Sequence, residues 1–137
     1  HSRSRRQRQM CIRDRPCTLP KDAIILPIHY ELGSAKLTSK STRIIDKHIL
    51  SRLKQHPNAV IEVGSHTDSR GGEAFNKNLS ERRSKAVVEY LNKKGIKTSR
   101  LIAVGYGESK LLNDCKDGVS CSENQHAKNR RTEFKFF

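Results

Sequence analysis

Apolar residues fall along the 137-residue chain in short blocks whose spacing alternates between two periods. Ala23-Ile24-Ile25-Leu26-Pro27-Ile28-His29-Tyr30 is a β-prone run, and its proline suggests an edge or a bend. Gly33-Ser34-Ala35 breaks it. From Ser41 to Gln55, residues Ile44, Ile45, His48, Ile49 and Leu53 recur at three- and four-residue steps. That spacing predicts a helix, capped by Ser39 or Ser41 and ended by His56-Pro57-Asn58. Ala59–Val63 reads as a β-branched strand, Gly64–Gly72 as a loop, and Glu73–Lys94 as a long helix that Gly95 stops in a left-handed conformation. Leu101–Val104 is a third strand, and Gly105-Tyr106-Gly107 opens a long loop reaching to around Gln125. A short helix is expected at Glu123–Lys128, and Thr132–Phe137 alternates as a closing strand. The order β, α, β, α, β plus a closing strand predicts an α/β (α+β) sandwich, a mixed sheet of about four strands with two main helices on one face.

Residues 1–20 depart from this pattern and read as a basic linker, leaving 21–137 as the folded domain. The formal net charge is +14; six Arg and one Asp in residues 1–15 give +5, so 14 − 5 = +9 is spread over the rest. A surface of that sign attracts nucleic acid, anionic lipid or a carboxylate-rich polymer alike. Three Tyr, four Phe and no Trp offer few platforms for base stacking, which weighs against a nucleic-acid partner. No apolar run reaches the ~18 residues of a membrane span. The chain begins at His1 and reads as a segment of a longer protein with further domains upstream.

The cysteines form two pairs of equal C-x5-C spacing, Cys11/Cys17 and Cys115/Cys121. Zinc sites favour shorter spacings and a second ligand pair. Two local disulfides are predicted instead, each worth about 2–2.5 kcal/mol, with free cytosolic thiols as the alternative. Disulfides imply an oxidising compartment such as the periplasm.

Candidate chemistry concentrates between Gly64 and Arg83. On the long helix, Leu79, Ala86, Val87 and Tyr90 form the expected buried stripe, with Arg83 inside it and Arg82 at its edge. Asn76 lies nearly in line with Arg83, about 10.5 Å away along the axis. A guanidinium in an apolar stripe needs a partner. Asp68, in the loop leading into the same helix, can face it across a small cleft. Such a pair suits a zwitterion: Asp68 takes an ammonium, Arg83 a carboxylate, and Asn76 adds an amide hydrogen bond. The alternative is a direct Asp68–Arg83 ion pair with no ligand. His66 reads as a structural loop residue. Neither His66 with Asp68 nor Cys115 with His126 shows a nucleophile–base–orienter pattern. Cys115, Cys121 and His126 lack a fourth zinc ligand. No enzyme, cofactor or metal is therefore expected.

The string Ser65-His66-Thr67-Asp68-x-x-Gly71, followed by Asn76-x-x-Leu79-Ser80-x-x-Arg83, Tyr90-Leu91 and Gly95-Ile96, resembles the OmpA-like peptidoglycan-binding domain. That family includes the Pal lipoproteins and flagellar stator subunits. Arg100-Leu101, Gly105-Tyr106-Gly107-Glu108 and Asn129-Arg130-Arg131-Thr132-Glu133 continue the likeness, which covers roughly Ile28 to Phe136. The resemblance implies non-covalent binding to diaminopimelate in the peptidoglycan stem peptide, anchoring an outer-membrane protein or complex to the wall from the periplasm. It assigns the grip on the zwitterion to Asp68 and Arg83, with Asn76 beside them. Arg130 or Arg131 would reach a ligand carboxylate, Asn129 would brace the site and Thr67 would shape the loop. Small Ser65 stands where the family often has Gly. Tyr30-Glu31-Leu32 replaces the family's frequent Asp-Phe-Asp, which alters the pocket rim. Cys115–Cys121 resembles a disulfide-closed insert of some branches and supports a periplasmic location. As parent, the resemblance offers a lipoprotein of a secretion apparatus, such as a PorE-like component of type IX secretion, or a β-barrel ending in this domain.

Overall fold

The computed structural model describes residues 19–28, 30 and 33–137. The expected Cys11–Cys17 bridge, most of the basic linker, and Glu31 and Leu32 at the expected rim lie outside the described residues. Strands β1 (Ile24–Leu26), β2 (Ile61–His66), β3 (Leu101–Gly107) and β4 (Arg131–Phe136) form one sheet in the order β1-β4-β2-β3. β2 and β3 are parallel, while β4 runs antiparallel to both β1 and β2. Helix α1 (Ser39–Ile45), a π-helical turn (Asp46–Leu50) and α2 (Ser51–Gln55) follow one another directly. The long α3 (Glu73–Lys93) makes the crossover that a parallel pair requires, and a short α4 (Glu123–Ala127) precedes β4. The mixed sheet with its two helical segments is the architecture that the sequence predicts.

One core lies between these helices and the sheet. Ile45, Ile49 and Leu53 from residues 39–55, Val87 and Leu91 from α3, and Ile61, Val63, Phe134 and Phe136 from the strands are buried together. Each such side chain contributes about 1.5–3 kcal/mol on burial. Towards the His66 end the interior turns polar. The Ser84 hydroxyl donates to the Val104 carbonyl at 2.8 Å and lies 2.9 Å from the Ser65 hydroxyl, from which it can accept, and Ser80 accepts from the Gly107 N–H at 2.9 Å.

Several boundaries differ from the expectation. β2 continues through Gly64, Ser65 and His66, and β3 through Gly105, Tyr106 and Gly107, where loops were predicted. Glycine and serine favour turns in isolation, but β2 is hydrogen-bonded on both sides, and that pairing outweighs propensity. The first helix is capped by Thr38, whose hydroxyl accepts the Ser41 N–H at 3.1 Å; Ser41 itself is buried within it. The buried side of α3 is Asn76, Leu79, Ser80, Ser84, Val87 and Leu91. Ala86, Tyr90 and Arg83 are only half-buried, so Arg83 borders the stripe and does not lie inside it. The stripe is displaced because α3 presses its small serines onto β3. At Gly105 an added Cβ would stand 2.3 Å from the Glu81 backbone nitrogen.

The two ends of the sheet differ in character. At one end, Val60 and Phe137 exchange backbone hydrogen bonds, and Leu19 lies beside His56, Pro57 and Phe137 in a shallow cleft. At the other, His66, Arg131 and Thr132 open onto a much larger cavity.

Candidate functional site

That cavity has a volume of about 900 Å³ and is walled by β1's exit, the β2–α3 loop, the first turns of α3, α4 and the start of β4. Its apolar wall includes Ile28, Tyr30, Phe75 and Leu79; its polar groups include Asp68, Arg70, Asn76, Arg83, Glu123, Arg130 and Arg131. A cleft of this size holds a drug-sized ligand, several times the volume of one amino-acid end group.

The loop carrying Asp68 is held from several sides. The Thr67 N–H donates to the Gly107 carbonyl at 2.8 Å, and the Thr67 hydroxyl to the Asp68 carbonyl at 2.9 Å. The Ser69 hydroxyl donates to the Cys115 carbonyl. Gly71 sits at φ 90°, a conformation only glycine adopts without strain. The Asn76 amide donates to the Arg70 carbonyl at 3.0 Å, the Asp68 carbonyl at 3.4 Å and the Glu108 carboxylate at 3.2 Å. Asn76 therefore spends its amide N–H groups bracing the loop, while still lining the cavity.

The Asp68 carboxylate is buried and takes both cationic partners on one oxygen. Arg70 Nη2 lies 2.9 Å and Arg130 Nη1 2.7 Å from Oδ2, and the Arg70 N–H donates to Oδ1 at 2.9 Å. Burial alone would raise the Asp68 pKa, but the hydrogen bonds from Arg70 and Arg130 override it and hold it at about 2. Asp68 is thus ionised across the whole physiological range. A carboxylate offers about four acceptor positions, of which three are taken here. The direct Asp68–Arg83 pair is not what forms: the cationic partners of Asp68 are Arg70 and Arg130.

Arg83 stands further along the cavity. Its guanidinium lies 4.7 Å from the Tyr30 ring centroid, and its Nε donates to the Ser34 carbonyl at 2.9 Å. Burial lowers the Arg83 pKa, with nearby Tyr30 opposing and Arg130 adding to the effect. A guanidinium is not deprotonated in proteins, so Arg83 is a half-buried cation facing a ligand-sized space. Arg131 is more committed: its Nη2 donates to the Lys110 carbonyl at 3.0 Å and its Nε to Glu133. Asn129 is fully buried and binds the Leu112 N–H at 2.7 Å and Asn113 at 2.9 Å, which fixes the loop before the disulfide.

His66 ends β2 and does not stand in a loop. Its ring stacks on Tyr106 with centroids 4.8 Å apart, and burial, with Arg131 adding, lowers its pKa to about 4. It is neutral at ordinary pH and has no hydrogen-bonded orienting partner on either ring nitrogen. Cys115 is bonded to Cys121, so neither thiol is available to a metal or a substrate. Among the described residues no cluster of three or more His, Cys, Asp or Glu is arranged to hold a metal ion.

The structure therefore brings Asp68, Asn76, Arg83, Arg130 and Arg131 to one cavity and places Thr67 in the loop's support. Sequence reading missed Arg70, Glu123 and Phe75. Arg70 had a usable signal, since it lies two residues after Asp68 in the same motif. Glu123 had none.

The OmpA family matches residues 29–125, most of the described domain. The chain belongs to the OmpA family. Among its OmpA-domain relatives, outer membrane porin F of Pseudomonas fluorescens is 41% identical over 87 residues, 64% of this chain and 25% of the porin. The peptidoglycan-associated lipoprotein of Pseudomonas putida is 35% identical over 111 residues, 81% of this chain and 63% of the lipoprotein. The chain thus spans a quarter of the porin's length and under two thirds of the lipoprotein's. In three dimensions it resembles a MotB-like protein of Desulfovibrio vulgaris, with a TM-score of 0.71 and 25% identity, covering 83% of this chain and 71% of that one.

In this OmpA domain the Cys115–Cys121 bridge closes a six-residue separation and presents the carbonyl that receives Ser69. Replacing both cysteines by serine is expected to cost about 2 kcal/mol of stability. Urea unfolding of the double variant checks this, and an unchanged midpoint would show that the bridge is not constraining the chain.

Proposed function

We propose that this domain binds peptidoglycan non-covalently and anchors an outer-membrane protein or complex to the cell wall, acting as a receptor and not as an enzyme. The ligand is the diaminopimelate end of the stem peptide. The observation that carries this reading is one cavity holding a buried Asp68, ionised across the physiological range and with an acceptor position to spare, and a half-buried Arg83. An ammonium suits the first and a carboxylate the second. Arg130 and Arg131 border the same space, and Asn76 and Thr67 keep the loop in place. The porin and lipoprotein relatives put the domain in the periplasm at the outer membrane. Among the described residues no helix is long and apolar enough to cross a membrane.

Calorimetric titration with two stem peptides, one containing diaminopimelate and one containing lysine in its place, tests the mechanism. Lysine keeps the ammonium and lacks the adjoining carboxylate. The diaminopimelate peptide should bind about ten- to a hundredfold more tightly, the usual worth of a charged hydrogen-bonding group in such a site. Equal affinities would sink the zwitterion mechanism.

A further inference from the structure

Four side chains close a ring on one side of the cavity. The guanidiniums of Arg70 and Arg130 both reach Asp68 Oδ2, at 2.9 and 2.7 Å. The same two guanidiniums reach Glu123: Arg70 Nη1 lies 2.9 Å from Oε2 and Arg130 Nη2 2.5 Å from Oε1. The two carboxylates differ in every other respect. The Asp68 side chain is 8% exposed and belongs to the braced loop, whereas that of Glu123 is 63% exposed and starts the five-residue α4.

We infer that Arg70 and Arg130 form a carboxylate subsite, and that Glu123 fills it in the free domain as an internal stand-in for a carboxylate of the ligand. This rests on the peptide-binding reading above. Two guanidiniums converge on both oxygens of one carboxylate, the arrangement that recognises this group best. Asp68 fixes the pair from the buried side, so the subsite is already built before any ligand arrives. The contact with Glu123 faces solvent, where ion pairs are weak and easily exchanged. An incoming carboxylate can therefore take both guanidiniums while Glu123 turns into water, where its charge is hydrated at little cost. The exchange keeps the charge of the ring unchanged, since one carboxylate leaves the two guanidiniums as another arrives.

Glu123 therefore competes with the ligand. Glu123→Gln keeps the side chain's size and leaves the Ser122 cap and its capping box with Gln125 intact. It should raise affinity for a diaminopimelate-containing stem peptide roughly three- to tenfold, the range expected for releasing exposed ion pairs. Arg70→Gln should weaken binding, and in the double variant the gain should vanish. Affinity of Glu123→Gln equal to or below wild type, or a gain that survives Arg70→Gln, would overturn the subsite. Acetate is a second, minimal probe that does not depend on the peptide. It should move the Arg70 and Arg130 Nε–H resonances at about threefold lower concentration in Glu123→Gln than in wild type. Stem peptide failing to bind wild type would remove the peptide reading, while the acetate titration still decides whether Glu123 masks a carboxylate subsite.

Discussion

The domain carrying Asp68→Ala is expected to wash off purified sacculi under conditions that retain the wild type, with affinity for a diaminopimelate stem peptide reduced about a hundredfold. The size of the effect follows from what Asp68 does in the free protein. It is the anion on which Arg70 and Arg130 both converge, and it remains ionised down to a pH of about 2. On the proposed mechanism, removing it deletes the acceptor for the ligand's ammonium. It also leaves the two guanidiniums with only exposed Glu123 between them, so that the cavity repels the ammonium it should attract. Asp68→Asn separates charge from shape. The amide still accepts the Arg70 N–H, so the loop turn survives, yet binding should fall nearly as far because an amide does not offset an ammonium. The residue's ionisation also matters to the fold. Its folded pKa lies below the ordinary 3.8, so its contribution is present above that value and is lost as the pH falls towards 2. Circular dichroism at neutral pH shows whether each variant is folded. A folded Asp68→Ala domain that sediments with sacculi as wild type does would remove Asp68 from the site.

Gly105→Ala is expected to destabilise the domain by about 3 kcal/mol, a large share of the stability of a single domain. The methyl group would stand 2.3 Å from the backbone nitrogen and 2.6 Å from the Cα of Glu81. Backbone cannot rotate out of the way, so α3 must lift from β3. Lifting it strains the bonds that fasten the two elements: Ser84 to the Val104 carbonyl, the Gly107 N–H to Ser80, and Lys77 to the Gly105 carbonyl. Gly64→Ala is the matched control. Its Cβ would meet the Tyr106 ring at 2.8 Å, but a side chain can swing aside. Denaturant unfolding of the two variants should separate them clearly. If Gly105→Ala proves as stable as Gly64→Ala, the close approach of helix and strand is softer than the geometry implies.

The elements were legible where apolar spacing decides structure. Ile44, Ile45, Ile49 and Leu53 announce the first helical segment, and Val60, Ile61 and Val63 the central strand. What escaped was structure held by something other than apolar side chains. Gly64, Ser65 and His66 resemble a turn until β3 and β4 pair with both edges of β2. Ser80 and Ser84 look like solvent-facing positions until Gly105 admits them against β3. The same contrast holds at the cavity. Asp68, Asn76 and Arg83 share a loop and one helix, so turn and helix geometry bring them within reach of each other. The far side of the ring around Asp68 did not follow from that geometry. Arg130 and Glu123 are separated from it by more than 50 residues, and the disulfide-containing segment folds back to deliver them. Charged residues on such segments carry no periodicity to read.

The domain's two ends also define a mechanical axis. Leu19, the first described residue, lies beside Phe137, whereas the candidate cavity lies past Arg131 and Thr132 at the far end of the same strand. β1 runs between these ends, antiparallel to β4, with Ile24 opposite Phe134 and Leu26 opposite Thr132. On the proposed reading, tension between a bound peptide and the chain before Leu19 would be directed along the strands. It loads the β1–β4 hydrogen bonds together, in shear, and does not peel them apart one after another. A three-residue strand, slight by its contribution to the core, is thus oriented to resist the pull of a tether.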